Sequence, residues 1–309
     1  MTLLPRGGYA RRLWGYLGEM YPLEQRVPGA ALLALAVAGL FRRIHGIAGG
    51  GIGPATLLAA WNAFTFLLVL RLMDELKDQE VDRALFPDRP LPSGRIEEAD
   101  IVFSLRVASI LFLAPNLASP ATALAAALVL GWALLMVRWF FVPAIMRPNL
   151  LLTLATHNPI VPLLALDLVV VVAAGERIPL AHVRWVPALL LVAMVWAISF
   201  AWEIARKIRS AAEENEYVTY SRLLGRRGAV ALAAAAQTVS FAIGLYLWRS
   251  LGLHWVFPAL VAGAWAGAMW AHARFLIDPS PATPKLRRPA EGYAVAVLLA
   301  AAAGSWLPS

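Results

Sequence analysis

The chain has 309 residues, of which 60% are apolar and only 15% charged, with a mean hydropathy of +0.67. A soluble chain is about 45–50% apolar and about 25% charged, so this one lacks the polar surface of a water-soluble globule, and it is too apolar for a disordered chain. The net charge of +8 does not point to nucleic acid, because no basic stripe carries interleaved aromatics, and the absence of cysteine excludes disulfides, thiolate metal sites and cysteine nucleophiles.

A polytopic membrane protein remains. Residues 1–27 carry Arg6, Arg11, Arg12 and Arg26 with no apolar core or small-residue cleavage site, so no cleavable signal is expected. Within that arm Leu13–Leu23 reads as an interfacial amphipathic helix. Residues 28–309 read as one transmembrane helical domain. A first four-helix half (28–143) has apolar segments at 28–41, 54–73, 99–118 and 120–143. A second half (149–276) has them at 149–174, 185–204, 228–249 and 254–276, and a ninth helix covers 290–307. Arg42 and Arg43 interrupt the first segment, and Pro115 and Pro120 mark a tight hairpin between the third and fourth. Gly49–Gly53 reads as a turn, since it lacks the Lys-Ser/Thr of a phosphate loop.

Basic residues set the orientation. With the N-terminus cytoplasmic, the arm, the loop holding Arg71, Lys77, Arg83, Arg89 and Arg95, the loop holding Arg138 and Arg147, the loop after 204 and the loop after 274 all share one side. Only Arg42, Arg43, Arg177, Arg184 and Arg249 fall on the other, and Arg106 lies inside a span. The expected layout has the C-terminus on the face opposite the cytoplasm, in a membrane such as a bacterial inner membrane. The acids gather with the bases: nine fall between Asp74 and Asp100, and Glu203, Glu213, Glu214, Glu216 and Asp278 share their side. Acid mixed with base beside a membrane suits a divalent metal held with a polyphosphate.

The informative segment runs from Arg71 to Arg95. On a helix Glu75, Asp78 and Asp82 are spaced i, i+3, i+7 and share one face, flanked by Asp74. Such carboxylates repel unless something cationic sits among them. One reading is a solvated acidic face relieved by Lys77 and Arg71. The other is a Mg²⁺ site, since Mg²⁺ binds through few carboxylates plus substrate phosphates. The run ends a transmembrane helix and enters a Pro/Gly-rich loop, which favours the second.

The segment resembles the UbiA superfamily of intramembrane prenyltransferases, which carries Asn-Asp-x-x-Asp-x-x-x-Asp followed by Arg-Pro-(Leu/Ile)-Pro-Ser-Gly. Here these positions are Asp74-Glu75-x-x-Asp78-x-x-x-Asp82 and Arg89-Pro90-Leu91-Pro92-Ser93-Gly94. Asp74 and Glu75 depart from the family's Asn and Asp but keep an oxygen ligand. The resemblance implies an all-α bundle of about nine helices with a central cavity opening to the cytoplasmic face. It implies transfer of a prenyl group from a polyprenyl diphosphate to a small acceptor, with Mg²⁺ assisting release of diphosphate. Catalytic roles fall to Glu75, Asp78 and Asp82. Metal ligands would be these with Asp74, and Glu203 or Glu213. Diphosphate would meet Arg71, Lys77, Arg89, Arg147, Arg206 and Lys207.

The resemblance also implies a second Asp-rich motif at the end of helix 6. Thr219 and Leu223-Leu224-Gly225 look like the close of its loop, yet Lys207 stands where an acid is expected one turn after Glu203. Either Glu213 and Glu214 supply ligands from the loop, or Arg206, Lys207 and Arg209 bind diphosphate oxygens directly. Asn62 reads as an interhelix hydrogen bond or a weak cavity residue. His157-Asn158-Pro159 lines a cavity or is satisfied by carbonyls freed at the proline. Asp167 has no nameable partner, and the twelve Trp read mostly as an interfacial belt. Two rival functions are a transporter, which also shows membrane acids and broken helices, and a homologue that binds prenyl diphosphate without catalysis.

Overall fold

The computed structural model describes residues 7–47, 51–214, 219–279 and 285–307, and all its regular structure there is helical. Arg6, Gly49, Gly50, Asn215 and Glu216 lie outside the described residues. Thirteen α-helices are described: α1 Tyr9–Met20, α2 Leu23–Ile44, α3 Pro54–Lys77, α4 Gln79–Leu85, α5 Glu98–Asn116, α6 Pro120–Val137, α7 Pro143–Met146, α8 Leu150–His157, α9 Ile160–Gly175, α10 Trp185–Ala205, α11 Tyr220–Leu251, α12 Val256–Ile277 and α13 Arg287–Trp306.

Local chemistry sets most ends. Pro54 and Pro120 occupy first helical turns, where a missing N–H costs nothing. Side chains of Ser119, Asn149 and Thr219 accept from the backbone N–H of Thr122, Leu152 and Arg222. Glu97 and Asp100 form a reciprocal capping box on α5.

Four boundaries differ from the sequence reading. α2 runs on through Arg42 and Arg43 because both guanidinia find partners at the bundle end: Arg42 Nη1 meets Glu176 Oε1 at 2.5 Å, and Arg43 donates to the Ser305 and Leu307 carbonyls. The expected helix over 120–143 stops at Val137, where Trp139–Phe141 turn left-handed. The helix over 149–174 is split at Asn158–Pro159, since proline cannot donate to the helical ladder. The helix expected from 228 starts at the Thr219 cap and kinks at Gly225, whose φ is +69°.

Seven spans are long and apolar enough to cross a membrane: α2, α3, α6, α8 with α9, α10, α11 and α12. The protein is an integral membrane protein. α5 and α13 are 19 and 20 residues long but carry Glu98, Asp100 and Arg106, and Arg287, Arg288 and Glu291. All nine join one ring: α2, α3, α5, α6, α9, α10, α11, α12 and α13 pack successively, and α13 returns to α2. Contacts of α3 with α9, of α2 with α9 and α10, and of α10 with α13 fill its interior. α1 lies against this ring: Tyr16 is buried, Arg12 makes a bidentate pair with Asp100 at 2.7 and 2.8 Å, and Arg95 pairs with Glu19.

In lipid the hydrophobic effect does not hold helices together, so close van der Waals fit and interhelix hydrogen bonds must. The ring closure shows both. A Cβ on Gly39 of α2 would sit 2.6 Å from Trp306 Nε1 and 2.7 Å from Ser305 Cβ of α13. The Trp306 indole donates to the Leu35 carbonyl at 3.0 Å across the same seam. Gly39→Val is therefore expected to destabilise the bundle by about 1–3 kcal/mol. Thermal unfolding in detergent checks this, and an unchanged melting temperature would refute the tight seam.

Candidate functional site

The acid-bearing end of α3 is built by two arginines. Arg71 pairs with Glu75 one turn later; Glu75 is buried (1% exposed) and its Oε2 has no partner. At Asp78 the helix breaks (φ −101°, ψ 11°), and α4 continues in nearly the same phase. The Asp78 N–H donates to Asp74 O at 2.9 Å and the Asp82 N–H to Asp78 O at 2.8 Å. Asp82 is buried and accepts from Arg89 Nη1 at 2.7 Å.

Arg89 reaches back because the Pro90–Gly94 segment is a compact turn. Its Ser93 N–H and hydroxyl both donate to the Arg89 carbonyl, at 3.0 and 2.7 Å, and Gly94 takes φ +76°. The Arg-Pro-Leu-Pro-Ser-Gly stretch is thus a device for aiming one guanidinium at one carboxylate. Asp74 is exposed, at the start of the same run.

The end of α10 faces this run. Glu203 accepts from Arg206 Nε at 2.6 Å and pairs with Lys207 Nζ at 3.2 Å. Arg206 acts electrostatically on Asp74, and Lys207 on Asp78. Arg206 also stacks on Trp202, and Lys207 lies 5.7 Å from the Tyr220 ring centre. Glu213 is taken up elsewhere: Ser210 donates to it from N–H and hydroxyl, and Lys285 pairs with it at 3.1 Å. Glu214 accepts from the Thr219 and Ser221 hydroxyls at 2.6–2.8 Å. Both loop acids therefore fasten the loop, while the two cations on Glu203 lie near enough to the α3 acids to act on them through space.

A third contribution comes from the turn after α6, which the sequence reading missed. Trp139, Phe140 and Phe141 have φ of 50°, 50° and 62°. Non-glycine residues in this region cost about 1–3 kcal/mol each and cluster at functional sites. The turn puts the Trp139 indole 4.3 Å from Lys77 Nζ and 5.7 Å from Arg147 Cζ. The His157 ring lies 5.6 Å from Trp139 and 6.0 Å from Phe140. Arg147 also pairs with Glu80 of α4 at 3.2 Å. The legible signal was three aromatics between Arg138 and Pro143, hidden among twelve Trp.

His157 closes α8; its Nδ1 is 3.2 Å from the Thr156 hydroxyl and its Nε2 has no partner. Asn158 accepts from the Trp196 indole. Beside it an apolar cavity of about 350 Å³ lies between α8–α9 and α10, lined by Leu151, Leu154, Ala155, Pro162 and Phe200 among others. Asn62 stands apart from the acids. It is fully buried and donates to Asn116 at 3.0 Å and to Asp167 at 2.8 Å, joining α3, α5 and α9. Asp167 thereby gains the partner that the sequence did not name.

No group of three or more His, Asp or Glu side chains closes into a metal cluster among the described residues. The donor set nevertheless fits Mg²⁺. The unpartnered Glu75 Oε2 lies in the run that holds Asp74 and Asp78, and Mg²⁺ needs few carboxylates when phosphate oxygens complete its shell.

No protein-family model matches the chain, and no curated protein matches it. Two solved structures do. A UbiA homolog from Aeropyrum pernix K1, in its apo form, matches at 19% identity and TM-score 0.67 over 91% of this chain and 97% of its own. The structure described in work on the biosynthesis of digeranylgeranylglyceryl phosphate synthase in membranes matches at 17% identity and TM-score 0.63, over 96% and 99%. The chain has the UbiA fold. At these identities the likeness is one of fold, and it spans nearly the whole of all three chains. Charge is unevenly placed along the chain, acid-rich at α3–α4 and base-rich after α10.

Burial pushes the Asp78 carboxyl above its ordinary value, against the pull of Lys77, Arg71 and Lys207. A raised folded value means that the folded state binds the proton more tightly, so this group's contribution to stability falls as pH rises past the unfolded carboxylate range. Asp78→Asn is expected to raise the melting temperature of the metal-free protein at neutral pH. The gain should shrink as the pH is lowered into the carboxylate range. A gain that persists unchanged in acid would rule this origin out.

Proposed function

We propose that the chain is a UbiA-superfamily prenyltransferase that moves a prenyl group from a polyprenyl diphosphate to a small acceptor, releasing diphosphate. The observation that carries this reading is, on the UbiA fold, the Asp74–Asp82 acid run with its buried, unpartnered Glu75 Oε2 between the Arg71 and Arg89 pairs. Neutralised acids alone would serve a structural role; acids with an open oxygen, faced by cations on a second helix, suit a polyanion and a divalent ion together.

Glu75, Asp74 and Asp78 would hold Mg²⁺, with Arg71 fixing the Glu75 carboxylate. When bound, the ion neutralises charge developing on the departing diphosphate. Asp82 and Arg89 clamp the loop, so that α4 and the turn after it keep their register. Lys77, Arg147, Arg206 and Lys207 present cations to the diphosphate oxygens. The apolar groove between α8 and α10 would receive part of the lipid tail. The positive-inside rule places this end at the cytoplasmic face.

The far-half acid, Asp167, accepts from the Asn62 amide and lies away from the cation cluster, which disfavours the transporter reading. Lys207 in place of an acid is the observation that favours a binding-only homologue.

The test uses purified full-length protein in nanodiscs with labelled polyprenyl diphosphates and a panel of aromatic, quinone-precursor and glycerol phosphate acceptors. Diphosphate release should require Mg²⁺ and stop with EDTA. Asp78→Ala should lower it by roughly 100-fold or more, since a bound metal supplies several kcal/mol at 1.36 kcal/mol per tenfold. Absence of Mg²⁺-dependent release with every acceptor would overturn the enzyme; tight diphosphate binding without turnover would establish the binding-only homologue.

A further inference from the structure

Lys77 stands at an unusual place for a cation. It is the last residue of α3, one turn after Asp74 and next to Asp78, yet it makes no ion pair within 4.0 Å among the described residues. Arg71, Arg89, Arg147, Arg206 and Lys207, at the same end, each sit on a carboxylate. The Lys77 ammonium instead lies 4.3 Å from the centre of the Trp139 indole, which Arg147, just after α7, approaches at 5.7 Å. The face of an indole attracts a cation with a strength comparable to a partly exposed ion pair. The indole is there because three consecutive non-glycine residues adopt left-handed backbone, a conformation that persists only where the surroundings over-determine it. Phe140 braces the turn from beneath, against Trp132 at 5.5 Å and His157 at 6.0 Å.

We infer that Trp139 is a positioning residue for Lys77. It parks the ammonium beside the acid run, where it acts on Asp74 and Asp78 through space but closes no ion pair on either. The carboxylates stay available to a divalent cation, and the ammonium stays within reach of a phosphate oxygen. A flexible four-carbon stem next to two carboxylates would otherwise fold onto one of them and compete with the metal for it. The inference rests on the reading of this end as a Mg²⁺ and diphosphate site, but its test needs no turnover.

Mg²⁺ binding, alone and with inorganic diphosphate, is measured by calorimetry on the full chain in nanodiscs. The set is the wild type, Trp139→Phe, Trp139→Leu, Lys77→Gln and the double variant Trp139→Leu/Lys77→Gln. Trp139→Leu should weaken Mg²⁺ binding by about tenfold, the scale of one competing charge, and Trp139→Phe by about threefold or less because a ring face remains. In the Lys77→Gln background Trp139→Leu should have no further effect on Mg²⁺, since the competing ammonium is gone. An equal loss in both backgrounds would show that Trp139 acts through packing and would overturn the inference, as would unchanged Mg²⁺ binding in Trp139→Leu. Melting curves confirm that each variant folds; if Trp139→Leu does not, the comparison of Trp139→Phe with and without Lys77→Gln decides in the same way. A wild type that binds neither Mg²⁺ nor Mg²⁺ with diphosphate would overturn the proposed function as well, so the two failures are distinguishable.

Discussion

A bilayer solvates neither charge nor open backbone, and that constraint orders this chain. Charged side chains at helix ends must find partners or reach water. At the acid-bearing end several do so by pairing over short distances along the chain, Arg71 with Glu75, Arg89 with Asp82, Arg206 and Lys207 with Glu203, while Arg147 reaches Glu80 from farther away. The first of these are local because a guanidinium one turn away is the partner that costs least chain entropy to bring in. The result is an end of the bundle that is densely charged but nearly self-neutralised. Among the unpartnered buried atoms of this end, which include Arg71 Nε and His157 Nε2, Glu75 Oε2 is the carboxylate oxygen, and a buried carboxylate oxygen without a partner suits an external one.

The opposite half adds, beside the Arg42–Glu176 pair, a network of two amides and one acid. Asn62, Asn116 and Asp167 meet across α3, α5 and α9, and the Asn116 amide also donates to the Phe112 carbonyl at 2.7 Å. Amide bonds of this kind are each worth about 0.6 kcal/mol in a membrane, rarely above about 1.7. Their larger consequence is registry. They pin the depth of α3 against α5 and α9, and so the depth at which its acid run emerges at the other end. Packing of Gly39 under Trp306 does the same for α2 and α13. The charged end can be locally paired and still precisely placed because the opposite end is globally tied.

This division explains what was legible in the sequence. The acid run and the Arg89–Gly94 turn were legible because their chemistry is local: spacing on one helix, and a turn that proline and glycine shape. Hydropathy located the helices for the same reason, although α5 and α13 carry charges that dilute their apolarity. The Asn62–Asp167 bond spans 105 residues of chain, and nothing in the flanking residues of either side announces the other. The Trp139 turn escaped notice because left-handed backbone in Trp-Phe-Phe has no propensity signal; it is imposed by α6, α7 and α8 around it. Glu213 and Glu214 were left open by sequence, and their partners come from residues farther along the chain, Lys285 for one and the Thr219 and Ser221 hydroxyls for the other.

The uneven placement of charge has a physical consequence on the proposed reading. A diphosphate leaving group is a polyanion, and its charge can be met by divalent ions held on carboxylates or by cations fixed in the chain. Carboxylates with a metal give strong neutralisation that vanishes when the metal does. Fixed cations give weaker but permanent attraction, and a lysine or arginine in a low-dielectric pocket must itself be partnered before the substrate arrives. At the end of α10 both requirements meet: Glu203 shares its two oxygens between Arg206 and Lys207, so each cation is compensated while the pair together keeps net positive charge. A second acid at position 207 would have required a second metal to make that helix end attractive to phosphate. The lysine removes that requirement, and it leaves the α3–α4 run as the part of the site whose charge balance depends on a divalent ion.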